Sequence, residues 1–107
     1  LSGRAKDFIK RGGEMISPEE IEQFLYKHPK IEEVAVIGLP NIQWGEIVTA
    51  VIKCKKDKKL TDEEILTFCN NKLASFKIPE KIIFISEIPR NSMGKILKKD
   101  LRDKFSA

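Results

Sequence analysis

The sequence predicts a small two-layer α/β (α+β) domain, in which an N-terminal β-hairpin precedes a short, mainly three-stranded sheet packed with about three helices. Segments rich in β-branched residues alternate with segments of helical periodicity, as expected for a sheet covered by helices. Two Ser/Thr residues are each followed three positions later by Glu, a pattern that marks helix starts. The length of 107 residues suits one domain, and 41% hydrophobic residues can supply its core.

The first predicted element is a β-hairpin. Residues 7–10 and 14–16 are short segments of extended character that flank Arg11, Gly12 and Gly13. Glycine adopts the positive φ values that tight hairpin turns require, so the glycine pair predicts the turn.

The first helix is predicted to begin directly after this hairpin. Ser17 is expected to cap it, with Pro18 at the first helical position and Glu20 completing a capping box. The His-Pro pair at residues 28–29 is expected to end it.

Two more helices follow from similar signals. Thr61 and Glu64 repeat the capping box at the start of a second helix. A third helix with a basic outer face is predicted near the end of the chain, from apolar residues at every fourth position: Leu97, Leu101 and Phe105.

Three strands are predicted to form the core of the sheet. Residues 34–39, 47–54 and 82–85 are rich in β-branched and other apolar residues. The loop between the first two carries Trp44, which is expected to pack on the sheet edge or, alternatively, to mark a surface contact.

Composition limits the possible functions. No apolar run approaches the roughly 20 residues of a membrane-spanning helix, so no membrane span is predicted. Cys54 and Cys69 form no CxxC pair, and the single histidine, His28, cannot complete a metal site with them. We therefore expect no metal, and core cysteines in a reducing compartment, the cytoplasm. The first residues lack Met and an apolar signal core, which indicates a segment of a longer chain.

The loop at residues 89–95 is the main candidate for chemistry. It is no P-loop, because Pro89 stands where that motif needs glycine, and the sequence contains neither a nucleophile elbow nor an HExxH motif. Lys95 follows Gly94 at an expected helix start, where its ammonium could contact a phosphate or a carboxylate. A solvated lysine in an ordinary turn explains the same residues.

Four blocks of sequence resemble the C-terminal domain of the acyl-adenylate-forming enzymes, the superfamily of acyl-CoA synthetases, firefly luciferase and peptide-synthetase adenylation domains. The blocks are GRAKDFIK with GGE and ISPEEIE (residues 3–22), HP with VAVIG and PNIQWGE (residues 28–46), LASFKIP (residues 73–79) and IPRNSMGKIL (residues 88–97). They stand in the family's order and spacing. GGE followed by ISPEEIE looks more like an acyl-CoA synthetase than a peptide-synthetase domain.

The resemblance implies that residues 1–107 are the mobile C-terminal domain of an AMP-forming acyl-CoA synthetase, with a hinge at residues 4–7. Lys95 matches the family's catalytic lysine, Arg4 an arginine near the nucleotide, and Lys6 the hinge position. The implied substrates are a carboxylic or fatty acid, ATP with Mg²⁺, and coenzyme A. They would be bound mainly by an N-terminal domain that this sequence lacks, so the 107 residues alone are expected to be inactive.

The resemblance also gives the hairpin a role. After domain rotation it would line the tunnel for the pantetheine arm of CoA, through Gly12, Gly13 and Glu14. A plain hairpin turn explains these glycines as well. Met15 departs from synthetases with a basic residue at that position, which leaves Lys10 and Arg11 as candidates for CoA phosphate contacts or, alternatively, as solvated charges.

Two other functions compete with this interpretation. An adenylation domain that loads a carrier protein would use the same hairpin. A basic module could instead bind nucleic acid through the terminal helix, using Lys95, Lys98, Lys99, Arg102 and Lys104. No aromatic residues interleave with these cations as stacking platforms, and the net charge of +4 is mild, so no nucleic-acid partner is expected.

Overall fold

The structure, a computed structural model, describes residues 8–106. Its elements are β1 (Ile9–Arg11), β2 (Glu14–Ile16), α1 (Pro18–Leu25), β3 (Ile31–Asn41), β4 (Gly45–Cys54), α2 (Asp62–Cys69), β5 (Lys81–Phe84) and α3 (Lys98–Phe105), with a 3₁₀ turn at Ser75–Lys77 before β5. The predicted α+β class, hairpin and three helices are confirmed. No helix in this described part of the chain is long and apolar enough to span a bilayer.

The five strands form one mixed sheet in which β4 is the central strand. Its order is β2-β1-β4-β3, and β5 pairs with β4 outside this path. β3 and β4 form the long antiparallel pair, and β5 runs parallel to β4 opposite Thr49 to Ile52. The hairpin joins the sheet where Arg11 pairs with Gly45.

Both faces of the sheet are covered by helices. Successive strand residues point to opposite faces, so β3 contributes Val34 and Val36 to one apolar cluster and Ala35 and Ile37 to another. α1 and α2 pack on the first cluster, and Leu101 of α3 packs on the second. The helices are thus divided between two layers rather than gathered in the single layer expected from the sequence, because this central pair of strands is apolar on both sides.

The free edge of β3 is covered by side chains of α1 and of Tyr26, the residue that follows it. The Val34 N–H donates to the Tyr26 hydroxyl at 3.3 Å, and the Val36 N–H donates to the Glu22 carboxylate at 2.8 Å. Lys98 of α3 binds the same carboxylate at 2.8 Å. Glu22 therefore connects the helices of the two faces around the sheet edge.

The two predicted capping boxes have different outcomes. Thr61 and Glu64 exchange both hydrogen bonds of the motif, as predicted. Ser17 makes no side-chain capping bond, so the first capping box was wrong. The Glu20 carboxylate is directed elsewhere, because both of its oxygens bind the Lys77 ammonium, at 3.0 and 2.9 Å. Glu64 also binds a lysine, Lys30, but through Oε2 alone, and it keeps Oε1 for the Thr61 N–H.

The boundaries of two helices and of the two central strands also differ from the predictions. α1 ends at Leu25, and the chain turns once more before the predicted stop, with the His28 N–H donating to the Leu25 carbonyl at 2.9 Å. The central strands are longer than residues 34–39 and 47–54. α3 begins at Lys98, so Lys95 lies in the preceding loop and not at a helix start.

Candidate functional site

Lys95 lies in the Lys95 loop, residues 90–96, which connects β5 to α3. An antiparallel bridge between Arg90 and Ile96 closes this loop, and the Leu97 N–H donates to the Pro89 carbonyl at 3.0 Å. The Lys95 side chain is exposed and makes no hydrogen bond or ion pair with any other residue in 8–106. Its ammonium is therefore available to an anion on another surface.

Asn91 organises the interior of the loop. Its side-chain oxygen accepts hydrogen bonds from the backbone N–H groups of Met93 at 2.9 Å and Lys95 at 3.0 Å. Its own N–H donates to the Lys95 carbonyl, and its carbonyl accepts from the Gly94 N–H, both at 2.9 Å. One asparagine thus satisfies most of the backbone groups of the turn.

Arg90 fastens the loop to β3. Its Nη1 donates to the Gly94 carbonyl at 2.6 Å, and its Nη2 binds Glu33 Oε1 at 2.7 Å. Neither Arg90 nor Asn91 was predicted as a site residue. The turn preference of asparagine was an available signal for Asn91, but Arg90 and Glu33 are 57 residues apart and form no local pattern.

The turn of the β1–β2 hairpin consists of Gly12 and Gly13, at φ +54° and +100°. Both values lie in the left-handed region that favours glycine. A Cβ on Gly12 would lie 2.6 Å from Trp44 Cε3, whereas no atom lies within 4 Å of a Cβ on Gly13. Packing against Trp44 therefore requires glycine at position 12, whereas the backbone of Gly13 is exposed and uncrowded.

The two hairpin cations have different environments. The Arg11 guanidinium lies 4.0 Å from the Trp44 ring centroid and pairs with Glu80. Lys10 is exposed; its backbone N–H donates to Glu46 at 2.8 Å, but its ammonium has no ion-pair partner within residues 8–106. Arg11 and Trp44 therefore support the hairpin from within, which agrees with the packing role expected for Trp44. Glu14 is exposed at the start of β2.

The Lys95 loop and the hairpin lie at opposite ends of the β3–β4 pair. Arg90 attaches the loop to Glu33 near the start of β3, whereas Arg11 pairs with Gly45, which lies opposite Asn41 at the end of β3. Glu33 and Asn41 are eight residues apart on one strand, which at about 3.3 Å per residue is about 26 Å. A single surface patch cannot include both features.

The remaining predicted residues add no further site. Arg4, Lys6 and the hinge at 4–7 lie outside the described residues. On α3, Lys98 pairs with Glu22 and Lys99 with Asp103, so part of the predicted basic face is neutralised within the domain.

A shallow cleft between α2 and the turn that follows α1 is lined by His28, Glu63, Glu64, Thr67 and Phe68. His28 packs edge-on against Phe68, with 4.8 Å between the ring centroids, and burial lowers the pKa of its imidazole although Glu64 acts in the opposite direction. Burial likewise raises the pKa of the Cys69 thiol to about 11, which keeps it protonated. Residues 8–106 contain no group of three or more His, Cys, Asp or Glu side chains that could hold a metal ion.

Comparison with known families identifies the domain. The family described as AMP-binding enzyme C-terminal domain matches residues 20–95, which is most of the chain and extends to Lys95. The chain belongs to this family. The superfamily predicted from the four sequence blocks is thereby confirmed.

Individual members of the family are similar over nearly the whole chain. The identity is 42% over 106 residues to oxalate–CoA ligase of Saccharomyces cerevisiae, covering 99% of this chain and 20% of that protein. It is 44% over 107 residues to long-chain-fatty-acid–CoA ligase FadD13 of Mycobacterium tuberculosis, covering 100% and 21%. The crystal structure of apo MatB from Rhodopseudomonas palustris superposes with a TM-score of 0.93 and 40% identity, covering 96% of this chain and 21% of that one. This AMP-binding enzyme C-terminal domain thus spans about a fifth of the length of its relatives.

Proposed function

We propose that residues 1–107 act as the mobile C-terminal domain of an AMP-forming acyl-CoA synthetase, with the hinge at residues 4–7. The substrates of the whole enzyme are a carboxylic or fatty acid, ATP with Mg²⁺, and CoA, bound mainly by an N-terminal domain. One observation carries the proposal: the Lys95 loop and the glycine hairpin attach near opposite ends of β3, at residues about 26 Å apart along the strand. Each can therefore serve a different half-reaction, if the domain turns between them.

In the first half-reaction, Lys95 supplies positive charge. The substrate carboxylate attacks the α-phosphorus of ATP, a bond from carboxylate oxygen to phosphorus forms, and pyrophosphate leaves. Negative charge develops on the phosphoryl oxygens, and an ammonium held beside them lowers the barrier. The exposed side chain of Lys95, without a partner in residues 8–106, suits this role because no ion pair within that part of the chain must break first. Arg4 is assigned to the nucleotide by resemblance.

In the second half-reaction, the hairpin approaches the active site and lines the path of the pantetheine arm. The thiol of CoA attacks the acyl carbon, and AMP leaves. Gly13 suits this place because its backbone is open, with no atom within 4 Å of the position of a Cβ. Of the two candidates for CoA phosphates we retain Lys10, because Arg11 is engaged by Glu80 and Trp44.

The acyl substrate is chosen elsewhere in the enzyme. This domain is 42% identical to that of an oxalate–CoA ligase and 44% identical to that of a long-chain-fatty-acid–CoA ligase, two acids of very different size. Similar C-terminal domains therefore accompany different acyl pockets. A reducing compartment such as the cytoplasm agrees with the free thiols of Cys54 and Cys69.

The experiment measures the two half-reactions separately in the full-length enzyme. Lys95→Ala should lower acyl-adenylate formation, followed by ATP–pyrophosphate exchange, by about 10²–10³-fold, the usual cost of removing one charge-stabilising donor. Thioester formation from a supplied acyl-adenylate should persist. Gly13→Leu should give the opposite pattern. Acetylation of Lys95 should reproduce the alanine result, because it removes the charge.

Lys99→Ala is the matched control, since it removes an exposed lysine that is paired with Asp103 on α3. It should leave both half-reactions unchanged. Equal losses of both half-reactions in Lys95→Ala would contradict the division of roles. Transfer to a phosphopantetheinylated carrier protein but not to free CoA would replace the synthetase assignment by that of a carrier-loading adenylation domain.

A further inference from the structure

The Lys95 loop has one hydrophobic anchor, Ile96, which packs on the same apolar cluster as Leu101. Every residue from Arg90 to Lys95 is exposed, and Met93 retains 89% of its accessible surface. Burial of apolar side chains therefore holds the end of the loop but not the turn at residues 90–95. The geometry of that turn must come from the hydrogen bonds that its backbone makes with Arg90 and Asn91.

The peptide unit between Gly94 and Lys95 is held on both sides. Its carbonyl accepts from Arg90 Nη1 at 2.6 Å, and its N–H donates to the Asn91 side-chain oxygen at 3.0 Å. Asn91 belongs to the loop, so it shapes the turn but does not attach it to anything else. Arg90 makes the attachment, because its Nη2 binds Glu33 of β3 at 2.7 Å.

The geometry of this contact explains why an arginine stands at position 90. A guanidinium is planar and carries donors in a rigid fork, so one side chain can bind a carboxylate and a carbonyl at the same time. Glu33 is part of the longest strand pair of the sheet and its side chain is only 21% exposed, so it offers a fixed point. The pair thereby transfers the rigidity of β3 to the peptide that carries Lys95.

We propose that Arg90 and Glu33 are positioning residues for acyl-adenylate formation: together they fix the peptide plane before Lys95 and so the direction in which its side chain leaves the domain. This inference rests on the proposed function of Lys95. Neither residue touches a substrate in this scheme. Their effect is on orientation, and a displacement of about 1 Å at a reacting group can cost on the order of 10²-fold in rate.

We call the Arg90–Glu33 pair the clamp. The variants that test it are Arg90→Gln, Arg90→Lys and Glu33→Gln in the full-length enzyme. Arg90→Gln and Glu33→Gln should lower acyl-adenylate formation by about 10-fold or more, with most of the loss in kcat, and should leave thioester formation from supplied adenylate unchanged. Arg90→Lys can keep only one of the two contacts, so its rate of acyl-adenylate formation should lie between that of the two Gln variants and that of the wild type. Glu20→Gln, which breaks the ion pair with Lys77, is the control and should leave both half-reactions unchanged.

Combining Arg90→Gln with Lys95→Ala distinguishes a positioning role of Arg90 from a general loss of structure. If Arg90 acts through Lys95, the double variant Arg90→Gln/Lys95→Ala should form acyl-adenylate no more slowly than Lys95→Ala alone, because residues of one functional unit are not additive. Losses that multiply in the double variant would overturn the inference. Melting temperatures of all variants are measured alongside, and Glu33→Gln decides the question if Arg90→Gln does not fold.

The two proposals fail in different ways. Normal acyl-adenylate formation in Lys95→Ala would remove the proposed function and the clamp together. A large loss in Lys95→Ala, with normal kinetics in Arg90→Gln and Glu33→Gln, would overturn the clamp alone. Loss of both half-reactions in the clamp variants, at an unchanged melting temperature, would also overturn it.

Discussion

Replacing Gly12 by alanine should destabilise the domain mainly through one aromatic ring. The new Cβ would lie 2.6 Å from Cε3 and 3.1 Å from Cζ3 of Trp44. The ring cannot simply move away, because the Arg11 guanidinium lies over it at 4.0 Å and is itself paired with Glu80. The backbone is also fixed, since the Gly12 N–H donates to the Trp44 carbonyl at 2.8 Å.

Two terms set the size of the effect. A non-glycine residue at φ +54° costs about 1–2 kcal/mol of conformational strain. Crowding in a packed contact costs about 1–3 kcal/mol. Together they lower the free energy of unfolding by about 2–5 kcal/mol, and about 4–8 °C of melting temperature per kcal/mol gives a fall of roughly 10 °C or more.

Gly13→Ala is the matched control, because it carries the strain without the clash. Gly13 also has a positive φ, and no atom lies within 4 Å of its Cβ position. Its φ of +100° lies further from the left-handed minimum near +57° than the φ of +54° at Gly12, so Gly13→Ala reports strain alone and the crowding term, about 1–3 kcal/mol, is the part of the Gly12→Ala loss that depends on Trp44. Urea and thermal denaturation of the 107-residue chain, followed by far-UV circular dichroism, measure both.

The same pair of glycine variants in a Trp44→Leu background identifies the cause. Without the indole ring Gly12→Ala should cost about 1–3 kcal/mol less than in the wild-type background, whereas the cost of Gly13→Ala should stay the same, which is a double-mutant cycle on one contact. A Gly12→Ala loss of the same size in both backgrounds would refute the reasoning. An equal reduction for Gly13→Ala would refute it as well, because the effect of Trp44 would then not be specific to Gly12.

Two further predictions concern the helices. Thr61→Ala should lower the free energy of unfolding by about 1 kcal/mol because it removes a working N-cap, whereas Ser17→Ala should lower it much less; equal losses in urea denaturation would contradict the assignment. Burial lowers the pKa of His28, so below about pH 6.5 the unfolded chain binds a proton that the native chain does not, and stability falls as the pH falls. His28→Gln should remove that part of the decline between pH 7 and pH 5, and an unchanged slope would argue against it.

The parts of the fold that depend on local patterns could be predicted from the sequence. The glycine pair at residues 12–13 specifies a turn by its conformational freedom, and the apolar run at residues 34–39 specifies a buried strand. The same apolar run also indicates that both faces of the sheet are covered, since apolar and polar residues would alternate along a strand that is exposed on one face.

The parts that depend on distant partners could not be predicted. Ser17 and Thr61 begin the same capping-box pattern, but Lys77 binds both oxygens of Glu20 across 57 residues and only Thr61 forms the capping box. In the candidate site too, the contacts between residues far apart in the sequence could not be predicted. Resemblance pointed to Lys95 itself, whereas the Arg90–Glu33 contact that fixes its loop depends on how β3 passes the loop in the folded chain.

The rigidity of the sheet determines how the two ends can serve one active site. To move the attachment of the Lys95 loop from Glu33 to the hairpin end of β3 would require a shift of about 26 Å along the strand. That shift would break the continuous register from Glu33 to Asn41, and it would pull Val34 and Val36 away from α1. Such a rearrangement amounts to unfolding and costs a large part of the 5–15 kcal/mol that stabilises a typical domain. A rotation of the whole domain about backbone dihedrals outside the sheet breaks none of these contacts, so the proposed alternation between half-reactions is expected to use a hinge and not a rearrangement of the sheet.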